Sequence, residues 1–494
     1  MVTCGYVLAI DQSTQGTKAI LFDEQGKMIN RVEKGHQQII NAEGWISHDP
    51  MEIIDNTLFV ARQVIETAAI DPHLIQAVGL SNQRETAVAW HRKTGKPVEN
   101  AVVWQCSRSK EICEEWTNRG WSDLVCASTG IPLSPYFPAS KFAWLIRHGE
   151  GATEFAENGE LCLGTVDSWL IFNLTKERVH WCDYSNASRS QLFNIQQLCW
   201  DKELCEKFAI PIAALPEVHA SDEIFGHTDL GGYLKRPIPI CAVMGDSHAA
   251  LFGQGCLQRG MIKCTYGTGS SVMLNVGSKP VFAESGVVTS LAWKYKGKVN
   301  YVLEGNIIYT GAVVAWMQKD LGLFDSISEV EPLIASANKE DSVYLVPAFS
   351  GLGAPYWDSR CTGLLTGLTR SSGKAEIVKA GVECIAFQIN DILEAMKSDA
   401  NLEIKGLRVD GGPTKNKYLM QFQSDIAQLD VYVPSVDAFS AIGVAFMAGI
   451  TKGMYDESIF DVCKRQTYSP QMAQSDVDMK CDGWKHAIEL VLKY

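Results

Sequence analysis

Tyr6-Val-Leu-Ala-Ile-Asp11-Gln-Ser-Thr-Gln-Gly-Thr-Lys18-Ala-Ile-Leu-Phe22 sets a polar turn, Asp11 to Lys18, between two apolar runs. The runs predict a strand, a tight hydroxyl-rich turn and a returning strand; turn signals at Asp23-Glu-Gln-Gly26 and an extended stretch over 28–32 make this a meander. One carboxylate, Asp11, stands at its first corner. Backbone N–H groups and the hydroxyls of Ser13, Thr14 and Thr17 can donate to phosphate oxygens there. Lys18 adds positive charge, and Asp11 can hold a hydrated metal. A polar hairpin turn reads the same way.

A second turn of this kind, Thr265-Tyr-Gly-Thr-Gly-Ser-Ser271, lies between the runs 260–264 and 272–275. The chain repeats its opening move. Two such loops, one early in each half, suit a nucleotide held in a cleft between two domains built on one plan.

Asp11-Gln-Ser-Thr, Asn82-Gln-Arg-Glu85, the stretch from Tyr136 to Leu145, Gly245-Asp246, Thr265 to Gly269 and Asp410-Gly-Gly412 occur in that order. This order resembles the FGGY carbohydrate kinases, and within them the branch that phosphorylates glycerol. The resemblance runs from about Tyr6 to Tyr455 and includes linking phrases at 45–52 and 346–357. It implies an α/β fold of two ribonuclease H-like domains, of the actin and hexokinase superfamily, with an interdomain active-site cleft. The domains are expected at 1–254 and 255–494.

Composition describes an ordinary globular protein. The 494 residues exceed what one core usually supports, with 46% apolar and 20% charged residues. A formal net charge of -13 argues against a broad nucleic-acid surface, though not against an anionic nucleotide neutralised locally. Fifteen scattered cysteines without a C-x-x-C pair point to reduced thiols and a cytoplasmic location. No stretch is read as a signal or a membrane span. A P-loop is excluded, because residues 367–374 have one residue too many between the glycines and Ala375 replaces the required hydroxyl. No His-Glu-x-x-His or Cys-His cluster suggests zinc.

Along the chain, Asp49-Pro50 starts a helix over 50–67, and a strand over 74–80 feeds Arg84 and Glu85 to a cleft. Residues 86–90 are expected to return from that strand, 101–105 to form a buried strand ending in Trp104, and 441–450 to form a small-residue helix packed close to the Asp410 turn. Arg84 and Glu85 are either a surface salt bridge or a donor–acceptor pair for a polyhydroxy substrate. Trp104 is core or the apolar wall of a polyol pocket, and the resemblance implies the pocket. It also puts Tyr136 at a substrate hydroxyl. Residues 164–170 and 186–189 are expected to be structural supports.

The decisive carboxylate is Asp246, which Gly245 exposes at a strand end before a helix. Asp is a good helix cap, so local pattern leaves cap and base open. In-line phosphoryl transfer needs a base, cations and N–H donors on the phosphates, and exclusion of water. The resemblance makes Asp246 that base, with Ser247 beside it in the acceptor site. Asp11 then holds Mg2+, while Thr14, Gln15, Lys18, Gly267, Thr268, Gly311, Ala315, Gly411, Gly412 and Asn416 bind ATP.

Departures from the family pattern bear on substrate choice. Ser247-His248 stands where two glutamines are usual, Ser271 replaces an aromatic residue, Lys18 an Arg and Ala315 a Gln, while Gly381 lacks the usual side chain. The expected activity is ATP- and Mg2+-dependent phosphorylation of a small polyol, glycerol first. The alternatives are a kinase for a larger polyol or keto sugar such as erythritol, threitol or xylulose, and a non-catalytic nucleotide and polyol sensor. Expected partners are the polyol and ATP, without nucleic acid or membrane insertion. The family suggests a homodimer or homotetramer.

Overall fold

The computed structural model describes residues 5–493, so residues 1–4 and 494, at the outer ends of the two expected domains, lie outside it. In the first sheet, β1 (Tyr6–Gln12), β2 (Gly16–Phe22) and β3 (Met28–Gly35) pair antiparallel. β4 (Ile75–Asn82) then adds parallel to β1, and β5 (Ile238–Gly245) parallel to β4. In the second, β6 (Ile262–Tyr266), β7 (Ser270–Gly277), β8 (Val288–Tyr295) and β9 (Lys298–Ile307) form the antiparallel part, in spatial order β8-β9-β7-β6. β10 (Leu407–Asp410) and β11 (Val431–Pro434) continue it in parallel, and β12 (Arg465–Tyr468) closes the edge. The repeated turn is therefore a repeated topology, in which β1, β2 and β4 match β6, β7 and β10.

Parallel strands need long crossovers that cover the sheet faces, which is why β1, β4 and β5 are nearly continuous apolar runs. Helix α1 (Pro50–Ala68) supplies the first crossover. Asp49 accepts the Met51 N–H, Pro50 pre-sets the first turn, and Ala69 ends the helix in the left-handed region at φ 52°. Its buried face carries Ile53, Val60, Val64 and Ile65 against the sheet. Each such side chain contributes about 1.5–3 kcal/mol when fully buried. The helices that matter below are α2 (Pro138–His148), α3 (Asp246–Gly253), α4 (Gly311–Lys319), α5 (Lys374–Ala400), α6 (Lys417–Ala427) and α7 (Phe439–Lys452).

Three local expectations are corrected. Val88–His91 pairs with Leu161–Gly164 in a small separate sheet instead of with β4, because Glu85, at φ 60°, turns the chain away. Only Ala101–Val102 of the predicted 101–105 run is strand, and Trp104 lies just past its end. Helix α7 does not lie beside the Asp410 turn. It packs on α3, β1, β4 and β5 of the first sheet, so close that a Cβ on Gly443 would stand 1.8 Å from the Ala249 carbonyl oxygen.

That crossing gives a shared core. Val7, Ala9 and Met244 of the first sheet, Met273 and Val302 of the second, and residues of α3 and α7 belong to one buried cluster. The two halves thus share one buried core. Gly381 in α5 is explained by packing, since a Cβ there would lie 2.4 Å from Met317 Sδ, which fills the space.

Candidate active site

The C-terminal ends of β4 and β5 and the β1–β2 turn meet at one place, as parallel α/β topology leads one to expect. Gln83 N–H donates to the Gln12 carbonyl at 2.6 Å, which fastens the Arg84 loop to the end of β1. Lys141, buried in α2, donates to the Glu85 carbonyl at 3.1 Å and also to that of Tyr136, so one ammonium joins the two loops. Burial lowers its pKa to about 7, with the Glu85 carboxylate pulling the other way.

Asp246 begins α3, but the cap position belongs to Gly245. Its Oδ1 accepts the Ser247 N–H at 2.6 Å and lies 3.2 Å from Arg84 Nε, with the side chain 35% exposed. Burial raises its pKa above the usual carboxylate range, opposed by Arg84 and reinforced by Asp11. A partly exposed carboxylate raised in this way suits a proton acceptor. Ser247 is half-buried beside it.

Around Asp246 the expected acceptor residues converge. Arg84 Nε lies 3.9 Å from Glu85 Oε1, and burial together with the Glu85 charge raises the Tyr136 phenol. Trp104 and Tyr136 meet edge to face with ring centroids 5.4 Å apart, and Trp104 Nε1–H donates to Thr14 Oγ1 at 2.8 Å. The expected acceptor wall and the expected first phosphate turn thus share a hydrogen bond that sequence separation gave no sign of.

In that turn, Lys18 Nζ stands 3.7 Å from Asp11 Oδ2, and Asp11 Oδ1 is buried without a hydrogen-bond partner. Gln15 is exposed at the tip. The hydroxyl expectation is corrected in part: Ser13 Oγ donates back to the Gly16 carbonyl, and Thr17 is buried with Oγ1 3.1 Å from His36 Nε2. Neither hydroxyl faces the cleft freely, because each has a nearer partner in the hairpin.

The second turn is docked on α4. Gly311 N–H donates to the Gly267 carbonyl at 3.0 Å, and Thr310 and Ala312 N–H donate to Thr268. Gly267 and Thr268 are exposed, and Ala315 follows one turn along α4. Gly411 has φ 100°, and a Cβ on it would fall 1.9 Å from the Tyr266 carbonyl oxygen, so only glycine serves there. Around Gly412 a Cβ would meet open space, and Asn416 caps α6 by accepting the Leu419 N–H at 2.9 Å. The expected nucleotide residues of the second half therefore share one corner at the ends of β6 and β10.

Sequence reasoning missed Glu304, Lys263 and the position of Arg189. Glu304 on β9 forms a bidentate pair with Arg84 at 2.7 and 2.9 Å. Lys263, fully buried on β6, donates to Thr265 Oγ1 at 3.0 Å and reaches Ser271. Lys263 is the one charge in its strand and Glu304 follows the apolar run 301–303 in its own, and that was the available signal. Arg189 donates to Glu85 Oε1 at 2.6 Å, while Asn186 exchanges hydrogen bonds with Asn82, so the 186–189 stretch does support the site. Among the described residues, no group of three or more His, Cys, Asp or Glu side chains could hold a metal by itself.

Residues 6–253 match the N-terminal domain, and residues 262–451 the C-terminal domain, of the FGGY family of carbohydrate kinases. The chain is 48% identical over 490 residues to glycerol kinase 1 of Thermotoga maritima, covering 99% of each. It is 45% identical over 492 residues to the glycerol kinase of Alkaliphilus metalliredigens, covering 99% of this chain and 98% of that one. The crystal structure of Plasmodium falciparum glycerol kinase with ADP superposes with a TM-score of 0.93 at 34% identity, covering 99% of this chain and 98% of that one. A xylulose kinase from Lactobacillus acidophilus, 21% identical over 99% of this chain and 97% of its own, shares the fold with a TM-score of 0.86. With both halves matched and relatives aligned end to end, the chain belongs to the FGGY family of carbohydrate kinases.

Proposed function

We propose that the chain transfers the γ-phosphoryl group of ATP to a hydroxyl of a small polyol, glycerol giving sn-glycerol 3-phosphate, with Asp246 as general base. The observation that carries this reading is the Asp246 carboxylate, partly exposed at a strand end with Arg84 at 3.2 Å. Asp246 takes the proton of the acceptor hydroxyl as its oxygen bonds to the γ-phosphorus and the bond to the bridging oxygen breaks, releasing ADP. Arg84, Glu85, Trp104, Tyr136 and Ser247 orient the acceptor. The relatives named as glycerol kinases, aligned over nearly the whole chain, support glycerol.

The nucleotide is assigned to Thr14, Gln15, Lys18, Gly267, Thr268, Gly311, Ala315, Gly411, Gly412 and Asn416. Residues 1–254 form the acceptor and base domain in this reading, and 255–494 the nucleotide domain, a division the two family matches support. Asp11 fits Mg2+, because a buried carboxylate oxygen without a partner beside a phosphate turn is the kind of hard donor that ion takes along with phosphates and water. When bound, Mg2+ supplies charge neutralisation on the phosphates.

A homodimer or homotetramer and a cytoplasmic location complete the proposal. All fourteen cysteines among the described residues are free, which suits a reducing compartment. None of the described helices is long and apolar enough to cross a membrane.

A larger polyol or keto sugar is the second reading, favoured by Ser271, which replaces the aromatic residue of the family pattern and whose hydroxyl reaches Lys263 at 3.5 Å. ADP release with Mg-ATP and acceptors from glycerol to five-carbon polyols and ketoses tests both readings. Highest kcat/KM on glycerol supports the first, and a longer acceptor in front replaces it with the second.

A further inference from the structure

Five charged side chains form one chain of contacts beneath the acceptor site. Arg84 Nη1–H and Nη2–H donate to the two carboxylate oxygens of Glu304 at 2.9 and 2.7 Å. Arg189 Nη1 lies 2.8 Å from Glu304 Oε2, and its Nε–H donates to Glu85 Oε1 at 2.6 Å. Asp246 completes the chain at Arg84 Nε. The Glu304 side chain is 0% exposed and that of Arg84 is 5% exposed, so water does not share these contacts. Asn306 Nδ2–H adds a donor to Glu304 Oε1 at 3.1 Å.

Glu304 and Asn306 stand on β9 of the second sheet, whereas Arg84 follows β4 of the first. The pair therefore ties the two halves together at the residue that faces the base. A guanidinium has five N–H donors. Glu304 takes two, one from each terminal nitrogen, and Nε stands 3.2 Å from Asp246 Oδ1, which leaves the second N–H of each terminal nitrogen for acceptor hydroxyls. Without Glu304 nothing fixes that orientation, because the Asp246 and Glu85 carboxylates both lie within reach of the same guanidinium.

We propose that Glu304 is a positioning residue for phosphoryl transfer: anchored in the second sheet, it holds the Arg84 guanidinium beside Asp246 with the second N–H of each terminal nitrogen free for the acceptor. This rests on the reading of Asp246 as the base. The bland reading is a buried ion pair that serves only to join the halves, and such pairs often add little net stability. The two differ in what happens to Arg84 when Glu304 is changed. The charged and titratable groups that bear on Asp246 are Arg84, Asp11 with its partner Lys18, and Lys263. Glu85, Glu304, Arg189 and His248 in turn surround Arg84. Released from Glu304, Arg84 closes on Asp246, stabilises its carboxylate and lowers its pKa.

The test is steady-state ADP release by the full chain with Mg-ATP and glycerol, comparing Glu304→Gln and Glu304→Asp with the unaltered protein. Glu304→Gln keeps the shape but loses the charge. It is expected to raise the acceptor KM about tenfold or more, to lower kcat, to leave the ATP KM within about twofold, and to move the acidic limb of the kcat profile to lower pH. Glu304→Asp keeps the charge, cannot span both arginines, and should fall between the two. A folded Glu304→Gln protein with unchanged acceptor KM and acidic limb overturns the proposal, even if its melting temperature falls. Should that variant fail to fold, the same result from Glu304→Asp overturns it equally. Asp246→Asn keeps the two readings apart: if it turns over at the unaltered rate the base reading fails, while the acceptor KM of the Glu304 variants still judges the positioning of Arg84.

Discussion

The corner formed by β1, β2 and β4 and the corner formed by β6, β7 and β10 are built alike: an antiparallel pair joined by a short turn, with a parallel strand ending beside it. Their side chains differ. The first corner carries Asp11, Arg84 and Glu85, with Asp246 from the neighbouring strand end, whereas the second carries Gly267, Gly269, Gly411 and Gly412 with Thr268. The second corner keeps its charges, Lys263 and Asp410, buried beneath the turn and exposes Gly267 and Thr268, a contrast that suits proton and metal chemistry in the first half and close approach to a nucleotide in the second.

Breaking the first corner should have the largest effect. Asp246→Asn removes the proposed base with little change of shape, and kcat is expected to fall by about 10^2–10^4, the usual range for a general base, with the ATP KM nearly unchanged. If ATP binding collapses instead, the division of labour is wrong. At the second corner, Gly411→Ala forces a Cβ against the Tyr266 carbonyl, 1.9 Å away, in a backbone region few side chains adopt. Its expected signature is the reverse: a raised ATP KM and a loss of roughly 1–3 kcal/mol in thermal or urea unfolding, with the pH profile of kcat preserved.

The contact that joins acceptor wall to phosphate turn gives a smaller effect. Trp104→Phe keeps the ring against Tyr136 but removes the Nε1–H bond to Thr14, and a loss of about 1 kcal/mol in kcat/KM is expected. An equal loss on the ATP and acceptor sides would mean that the two subsites are not separable here.

The smallest effect lies in the support beneath the first corner. Buried Asp167 accepts the Asp183 N–H, Asp183 holds Ser185 and Asn186, and Ser185 Oγ accepts the Gly245 N–H. Burial, then the nearby Asp183 charge, raises the Asp167 pKa from 3.8 to about 7. A carboxyl raised on folding contributes stability that is full below about 3.8 and is lost as pH rises towards about 7. Asp167→Asn cannot ionise, so its melting temperature relative to the unaltered chain should rise between pH 5 and pH 8. A difference that does not change with pH would remove Asp167 from this role.

Much of this was legible in the chain itself. The meander, α1 with its Asp49-Pro50 start, and the strands that carry Asp246 and Asp410 follow from apolar runs bounded by turn residues, which are local signals. The family resemblance extended those signals to Arg84, Glu85, Trp104 and Tyr136, and the structure brings these residues together. The placement of α7 was not legible, because a helix of small residues packs equally well on several surfaces and only the close approach at Gly443 selects one. Nor did the sequence tell which hydroxyls of the first turn stay free, since Thr17 is taken by His36, nineteen positions away.

Local pattern and backbone chemistry thus determined the elements, the two repeated turns and the residue types offered at each corner. Tertiary structure alone decided which charges meet. Glu304 lies 220 positions from Arg84, and Trp104 lies 90 from Thr14. Contacts over such separations depend on how two sheets and a shared core pack in three dimensions, and no period in the sequence encodes that distance.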